Sequence, residues 1–405
     1  MTDDGRGRLD VASVEEVIEA GSRGEMVVVV DDADRENEGD LFVPAEKATP
    51  EHVNFMATHG RGLVCAPVTA QRLDELDLRP MVPPAENSEE MGTAFAVSVD
   101  ATTTDTGISA HDRAATVEAL VDPATTPEDL DRPGHTFPLE AREGGVLERR
   151  GHTEAAVDLA RLAGLKPAGV VCEIMADDGT MAREPELVAF AEEHDLLVTT
   201  VERIVEYRLR NEQVATRTVE TVLPTEYGRF DLYAYEYLGD THVALASGDT
   251  AKDRPLVRVH SRCVTGDTLH SRKCDCGFQL DEALEAIGRE GGVLVYLDQE
   301  GRGIGLLNKL RAYELQERGY DTVEANEELG FEPDERRFDA AAQILRDLDV
   351  QKCTLLTNNP EKVANLERLG LDVDRRGTAV STTEENVDYL ETKREKLGHR
   401  FTIQH

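Results

Sequence analysis

A chain of 405 residues is long enough to bury two cores, and its formal charge of -37, from 81 acidic against 44 basic residues, repels phosphate backbones and anionic membranes. Nucleic acid is thereby argued against as a partner, and the polar start MTDDGRGRLD, with no apolar run near the ~18 residues of a membrane span, predicts a cytoplasmic protein. Only 9 lysines stand against 35 arginines, which with the acidic excess fits a salt-rich cytoplasm, and six cysteines, three of them bunched, fit reduced thiols and a metal site better than a secreted disulfide framework.

Residues 26–44, MVVVVDDADRENEGDLFVP, read as a strand, a very acidic turn and a second strand. The turn packs six carboxylates and one arginine into positions 31–40, so it is either a solvated loop of an acidic protein or a place where ligand groups collect. From 152, HTEAAVDLARLAG predicts a helix with Ala156, Leu159, Ala160 and Ala163 on one face, stopped at Gly164. VVCEIM is a strand ending at a DDG turn, and LLVTT followed by VERIVEYRLRNE is a strand and helix that close this half. The pattern turns polar between about 206 and 218, and the expected domains are 1–208 and 209–405.

The second half opens with the β-rich LPTEYGRFDLYAYEY. VLVYL then leads through the glycine-rich DQEGRGIG into the helix LLNKLRAYELQERG, RRFDAAAQILRDL is a helix, and CTLLTNNPEKVANLERLG reads as strand, turn and helix. The fold class is α+β, with two α/β-type domains in tandem.

Cys263, Cys274 and Cys276 have the spacing C-x10-C-x-C. Thiolates suit Zn²⁺, and three of them leave a fourth position free, the mark of a catalytic site where a water can be activated. Two bland readings stand beside this one: His260 or His270 closes the shell around a structural zinc, or the thiols are ordinary buried side chains.

With these cysteines, RVHSRCVTGD (258–267), KCDCGFQL (273–280), QEGRGIGL (299–306), LRAYELQ (310–316) and LLTNNPEK (355–362) resemble GTP cyclohydrolase II over about 219–400. The resemblance implies zinc on the three cysteines. It implies Arg258 on the triphosphate, Gln279 on the guanine, and Glu300, Gly301 and Arg302 as the loop that takes the nucleotide, with Thr322, Thr357 and Lys362 as further GTP contacts. By the same likeness Tyr313 assists at the ring carbon, Asp334 is the proton acceptor and Arg336 the nucleophile in pyrophosphate release. Two positions depart from the family pattern. Arg262 stands where a glutamate is expected, and Asp298 where an arginine is, as though acid and base had exchanged places.

In the first half, TGISAHDRA (106–114), RPGHTFPL (132–139), REGGVLERRGHTEAAVDLARLAG (142–164) and VVCEIM (170–175) resemble 3,4-dihydroxy-2-butanone 4-phosphate synthase over about residues 10–205. That resemblance implies Mg²⁺ or Mn²⁺ on Glu36 and His152. It implies Arg35, Glu36, Asp40, Arg149, Arg150 and Thr153 around ribulose 5-phosphate, and His135 and Glu173 as catalytic groups. Repeated enolisation of a ketose phosphate requires such bases and a hard cation bridging adjacent oxygens. Cys65 and Cys172 read as buried structural thiols. Both families form homodimers, so a homodimer is implied. The expected function is therefore a bifunctional enzyme making two precursors of riboflavin from small-molecule substrates. The alternatives are an active first half carrying a degenerate, regulatory second half, and a zinc-dependent nucleic-acid module, which the charge disfavours.

Overall fold

The computed structural model describes residues 11–33, 35–88, 91–383, 385–396, 398 and 400. They form two compact units, Met1–Arg208 and Leu209–His405. Each is a seven-stranded mixed sheet with helices, the α+β class expected from the sequence.

The first sheet holds β1 (Val27–Val30), β2 (Gly39–Pro44), β3 (Cys65–Thr69), β4 (Val99–Ala101), β5 (Leu130–Ala141), β6 (Gly169–Glu173) and β7 (Leu197–Thr200), in the order β4-β5-β3-β6-β2-β1-β7. The four valines of β1 are all buried, as expected of β-branched residues in a strand covered on both faces. β1 pairs antiparallel with β2, so the acidic stretch is the turn of a hairpin in mid-sheet. The helix His152–Leu162 forms where the sequence predicts one, and its burial extends beyond the face of Ala156, Leu159 and Ala160, because every residue from His152 to Ala160 is buried. Its two acidic residues are buried as partners of arginines: Glu154 with Arg149 at 2.7 Å and Asp158 with Arg208 at 2.8 Å. The helix ends at Leu162 with Ala163 as cap, and Gly164 follows with φ +71°.

The second sheet holds β8 (Thr216–Thr225), β9 (Gly228–Tyr237), β10 (Asp240–Ser247), β11 (Leu256–Ser261), β12 (Gly292–Leu297), β13 (Lys352–Leu356) and β14 (Asp372–Arg376), in the order β14-β13-β11-β12-β10-β9-β8. β14, β13, β11 and β12 run parallel, and β10, β9 and β8 continue as an antiparallel meander. β8 is the edge strand and is exposed along nearly its whole length, which explains why TRTVE reads as polar linker rather than strand. Parallel strands leave a crevice beyond their carboxyl ends. Cys263 follows β11, the EGRG turn follows β12, and Thr357 follows β13, so three segments far apart in sequence meet at one edge.

Candidate active sites

In the first unit the hairpin turn is organised by Asp31. Its carboxylate accepts the backbone N–H of Glu38 at 2.9 Å and of Glu36 at 3.2 Å, and pairs with Arg35 at 2.7 Å. Arg35 also pairs with Glu36 at 2.7 Å. Asp31, Glu36 and His152 offer ligand atoms that all lie within 4.8 Å of one another. His152 is the first residue of its helix, Gly151 being the N-cap, and its Nδ1 lies 3.8 Å from Asp40 Oδ1. His152 Nε2 and Asp40 Oδ1 are both buried without a hydrogen-bond partner.

Asp40 on β2 faces Glu173 on β6 directly across the ladder. Like charges so placed repel. Burial first, and then the charges of Glu173, Glu36, Glu38 and Asp31, push the Asp40 carboxyl well above the usual carboxylate range. Burial lowers the pKa of His152, which leaves a neutral imidazole able to coordinate. Surplus carboxylate, orphaned lone pairs and one neutral imidazole fit a divalent cation, with the nitrogen suiting Mn²⁺ at least as well as Mg²⁺. Of this cluster the sequence reading missed Asp31 as a ligand candidate, although it lies in the stretch that was singled out.

The other candidates are held by groups that motifs do not reveal. His135 on β5 is fixed by Asp100 on β4, which takes its backbone N–H at 2.8 Å and meets its Nδ1 at 2.7 Å. Gly107 approaches so closely that a Cβ there would lie 2.0 Å from the Asp100 carboxylate. Glu173 accepts the N–H of Leu63 at 2.8 Å. Arg149 is tied to Glu154, to the Met91 carbonyl at 3.1 Å and to Thr93 Oγ1 at 3.1 Å, so much of its donor capacity is spent inside the protein. Thr153 is buried beside His152, and Arg150 is half-buried.

In the second unit Cys263, Cys274 and Cys276 come together, again within 4.8 Å. The Sγ atoms of Cys263 and Cys274 are 3.8 Å apart, which matches the ~3.8 Å edge of a tetrahedron with Zn–S bonds of ~2.3 Å. A Cβ on Gly266 would lie 2.8 Å from Cys274 Sγ, so the thiols sit in a cradle that only glycine allows. Among the described residues no histidine joins them. His260 instead bonds Asp267 at 3.2 Å and stacks on Tyr296. The donor set fits zinc with one position open.

A cavity beside the thiols is lined by Arg258, Gln279, Gly301, Arg302, Tyr313, Thr322, Arg336, Thr357 and Lys362, bringing together nine of the positions expected from the sequence. Arg258 is buried, donating to the Leu356 carbonyl at 2.9 Å and to Gln279 Oε1 at 2.6 Å. Lys362 donates to the Val259 carbonyl at 2.8 Å, and burial, with Arg258 and Arg336 nearby, lowers its pKa well below the usual ammonium value. The EGRG segment is a tight turn in which both Gly301 and Arg302 are left-handed, φ +64° and +60°. That conformation aims Arg302 into the cavity, where its two terminal nitrogens are buried without hydrogen-bond partners.

Two expected residues take a supporting place. Glu300 is buried, accepting the Val264 N–H at 2.6 Å and the Lys309 ammonium at 2.7 Å, and Lys309 also donates to Cys263 Sγ at 3.0 Å. Asp334 grips Arg336 through three hydrogen bonds, accepting from Nε at 2.7 Å, from Nη2 and from the backbone N–H at 3.2 Å. The exchanged residues do meet: Arg262 and Asp298 form an ion pair at 2.6 Å on the cavity rim. Lys309 and Asp275 were not legible from the sequence as site residues.

A family model of 3,4-dihydroxy-2-butanone 4-phosphate synthase matches residues 15–207, and one of GTP cyclohydrolase II matches residues 216–378. The riboflavin biosynthesis protein RibBA of Aquifex aeolicus is 55% identical over 398 residues, covering 96% of this chain and 98% of its own. The chain belongs to the RibBA family of riboflavin biosynthesis proteins. RibBA of Bacillus subtilis is 54% identical over 392 residues, with 95% and 98% of the two chains covered. The solved RibBX of A. baumannii, described as a two-domain 3,4-dihydroxy-2-butanone 4-phosphate synthase, aligns with TM-score 0.72 and 38% identity over 91% of this chain and 100% of its own. One donor cluster falls in each matched segment. No helix among the described residues is long and apolar enough to cross a membrane.

Proposed function

We propose that the two units, with the boundary near residue 208, run two separate reactions. The first converts D-ribulose 5-phosphate to L-3,4-dihydroxy-2-butanone 4-phosphate and formate. The second hydrolyses GTP to 2,5-diamino-6-(5-phosphoribosylamino)pyrimidin-4(3H)-one, formate and pyrophosphate. The observation that carries this reading is the contrast of donor sets, carboxylates with one imidazole in one segment and three thiols in the other. Hard oxygen ligands suit a cation that binds a sugar, and thiolates suit zinc.

In the first unit Glu36 and His152, with Asp31 beside them, would hold Mg²⁺ or Mn²⁺, which when bound would supply a Lewis acid for the sugar phosphate. Asp40, whose carboxyl pKa is raised by burial and by the acids around it, and Glu173 opposite it exchange protons with the substrate. Asp100 orients the His135 ring so that its other nitrogen exchanges protons with substrate. Arg35, Arg149, Arg150 and Thr153 meet the phosphate and hydroxyl groups.

In the second unit the three cysteines would hold zinc, which when bound would supply a Lewis acid. Tyr313, 3.3 Å from Thr265 Oγ1 and pushed up to about 12 by burial, keeps its proton and assists at the ring carbon as a hydrogen-bond donor. Arg258, Arg302 and Lys362 gather positive charge for the triphosphate, and Asp334 holds Arg336 in place for pyrophosphate release. Glu300 braces the turn, while Gly301, Thr322 and Thr357 shape the nucleotide's bed. The acidic surface suits a salt-rich cytoplasm, and the working form is a homodimer. The test is direct: the full chain with Zn²⁺ and GTP should yield formate and the diaminopyrimidine chromophore, and with Mg²⁺ and ribulose 5-phosphate should yield formate. Silence of the GTP assay in protein holding stoichiometric zinc would leave the second unit as a regulatory domain.

A further inference from the structure

The GTP cyclohydrolase II match ends at residue 378, yet the helix Val387–Glu395 beyond it reaches the cavity of the second unit. Tyr389 and Lys393, one turn apart on that helix, both line it. The segment is firmly docked. Thr383 Oγ1 donates to the Arg272 carbonyl at 3.1 Å, Glu385 pairs with Arg272 at 3.0 Å, and Leu390 is fully buried. We infer that Lys393 and Tyr389 are positioning residues of the GTP site: Lys393 fixes the Gln279 amide that meets the base, and Tyr389 steadies the Arg302 guanidinium.

The buried Lys393 donates to Asp275 Oδ1 at 3.0 Å. The other oxygen of Asp275 accepts from Gln279 Nε2 at 2.5 Å, and Gln279 Oε1 accepts from Arg258 Nη2 at 2.6 Å. An amide can turn over and exchange donor for acceptor at almost no steric cost. Here one end faces an acceptor-only carboxylate and the other a donor-only guanidinium, so a single orientation satisfies both. Lys393 holds that carboxylate in place; without it Asp275 is a buried charge free to turn toward Arg258. The Tyr389 ring lies 4.4 Å from Lys393 Nζ on one side and 5.5 Å from Arg302 Cζ on the other. Arg302 has no hydrogen-bond partner for its terminal nitrogens, so this cation–π contact holds it while the cavity awaits an anion.

This inference rests on reading the cavity as the GTP site, and the experiment separates the two. Steady-state GTP kinetics are measured on the full, zinc-loaded chain for the parent, Lys393→Met, Lys393→Arg, Gln279→Ala and the Lys393→Met/Gln279→Ala double variant. The expected result is that Lys393→Met raises KM for GTP about tenfold with kcat changed less than about threefold, that Lys393→Arg recovers most of the loss, and that the double variant is no worse than Gln279→Ala alone. Ribulose 5-phosphate turnover should not move. A parent without formate release from GTP would overturn the site reading itself. An active parent whose KM is unchanged by Lys393→Met, or losses that multiply in the double variant, would overturn only the inference. Hydrogen exchange on the unmodified protein needs no variant to fold. Guanosine 5′-[α,β-methylene]triphosphate, which cannot release pyrophosphate, should slow exchange across 387–395, and unchanged exchange there in ligand-saturated protein would count against the helix as part of the site.

Discussion

The exchanged pair Arg262 and Asp298 offers a measurable electrostatic experiment. Nη1 of Arg262 lies 2.6 Å from Oδ1 of Asp298, and the Asp298 partnership raises the Arg262 pKa. The side chains are 42% and 39% exposed, which decides the magnitude. In a dry site two contacting charges would couple strongly, but at this exposure water and salt screen them, and the coupling expected is ~0.2–1 kcal/mol, a factor of about 1.4 to 5. Arg262→Glu alone sets a carboxylate beside Asp298 on the rim of a cavity meant for a polyanion, so kcat/KM for GTP should fall at low salt. Asp298→Arg alone removes the acceptor and leaves two arginines facing each other. The Arg262→Glu/Asp298→Arg double variant restores opposite charges and should recover more than the single losses predict. Initial rates of formate release at ~0.1 M and ~1 M salt check both parts, because the recovery should shrink as the Debye length contracts from ~10 Å to ~3 Å. Strict additivity at low salt would refute the pair as an energetic unit and make Arg262 a direct contact for GTP.

Cys276→Ser should lower bound zinc and abolish formate release from GTP while ribulose 5-phosphate turnover persists; loss of both activities in folded protein would contradict the division of labour. Glu36→Gln should remove only the sugar-phosphate activity, and full activity at saturating Mg²⁺ would reduce the acidic turn to a solvated loop. Asp40 gives a pH signature. Its folded pKa is raised, so its contribution is fully present below the unfolded value of ~3.9 and is lost as pH rises through the folded one. Metal-free protein should therefore lose thermal stability as pH rises above ~4 more steeply than Asp40→Asn does, and Mg²⁺ or Mn²⁺ should flatten the parent's slope; equal slopes in EDTA would refute this role.

The elements legible in the sequence were those whose burial follows a simple period, such as the valine run of β1 and the apolar strand β12. The helix His152–Leu162 was placed with its apolar face, but nothing in its period shows that Glu154 and Asp158 are buried too, since that depends on their pairing with Arg149 and Arg208. β8 failed for the opposite reason: an edge strand exposed on both faces has no hydrophobic signal to give. The three cysteines announced themselves because they lie in one short distinctive stretch, whereas Glu36 and His152, far apart in the chain, were joined only through the family resemblance and Asp31 was missed. Asp100, Asp275 and Lys309 did not announce themselves, since each acts by holding another residue, and a holding role depends on a meeting in space that no local pattern encodes.

The lysines show how the overall charge and the site fit together. Of only 9 in the chain, Lys273, Lys309, Lys362 and Lys393 line the second unit's cavity. Elsewhere arginine has largely taken the basic role. A compact ammonium suits point contacts with a thiolate, a carbonyl or a carboxylate in a confined space. Lys309 to Cys263, Lys362 to the Val259 carbonyl and Lys393 to Asp275 are such contacts. The result is a positive pocket in a strongly negative body. An anionic nucleotide approaching it meets repulsion at long range and attraction at short range, and salt acts on the two unequally. A Debye length of ~8 Å or less removes the distant repulsion, while the buried contacts inside the cavity are screened far less. The acidic surface and the lysine-lined site are therefore compatible where ionic strength is high.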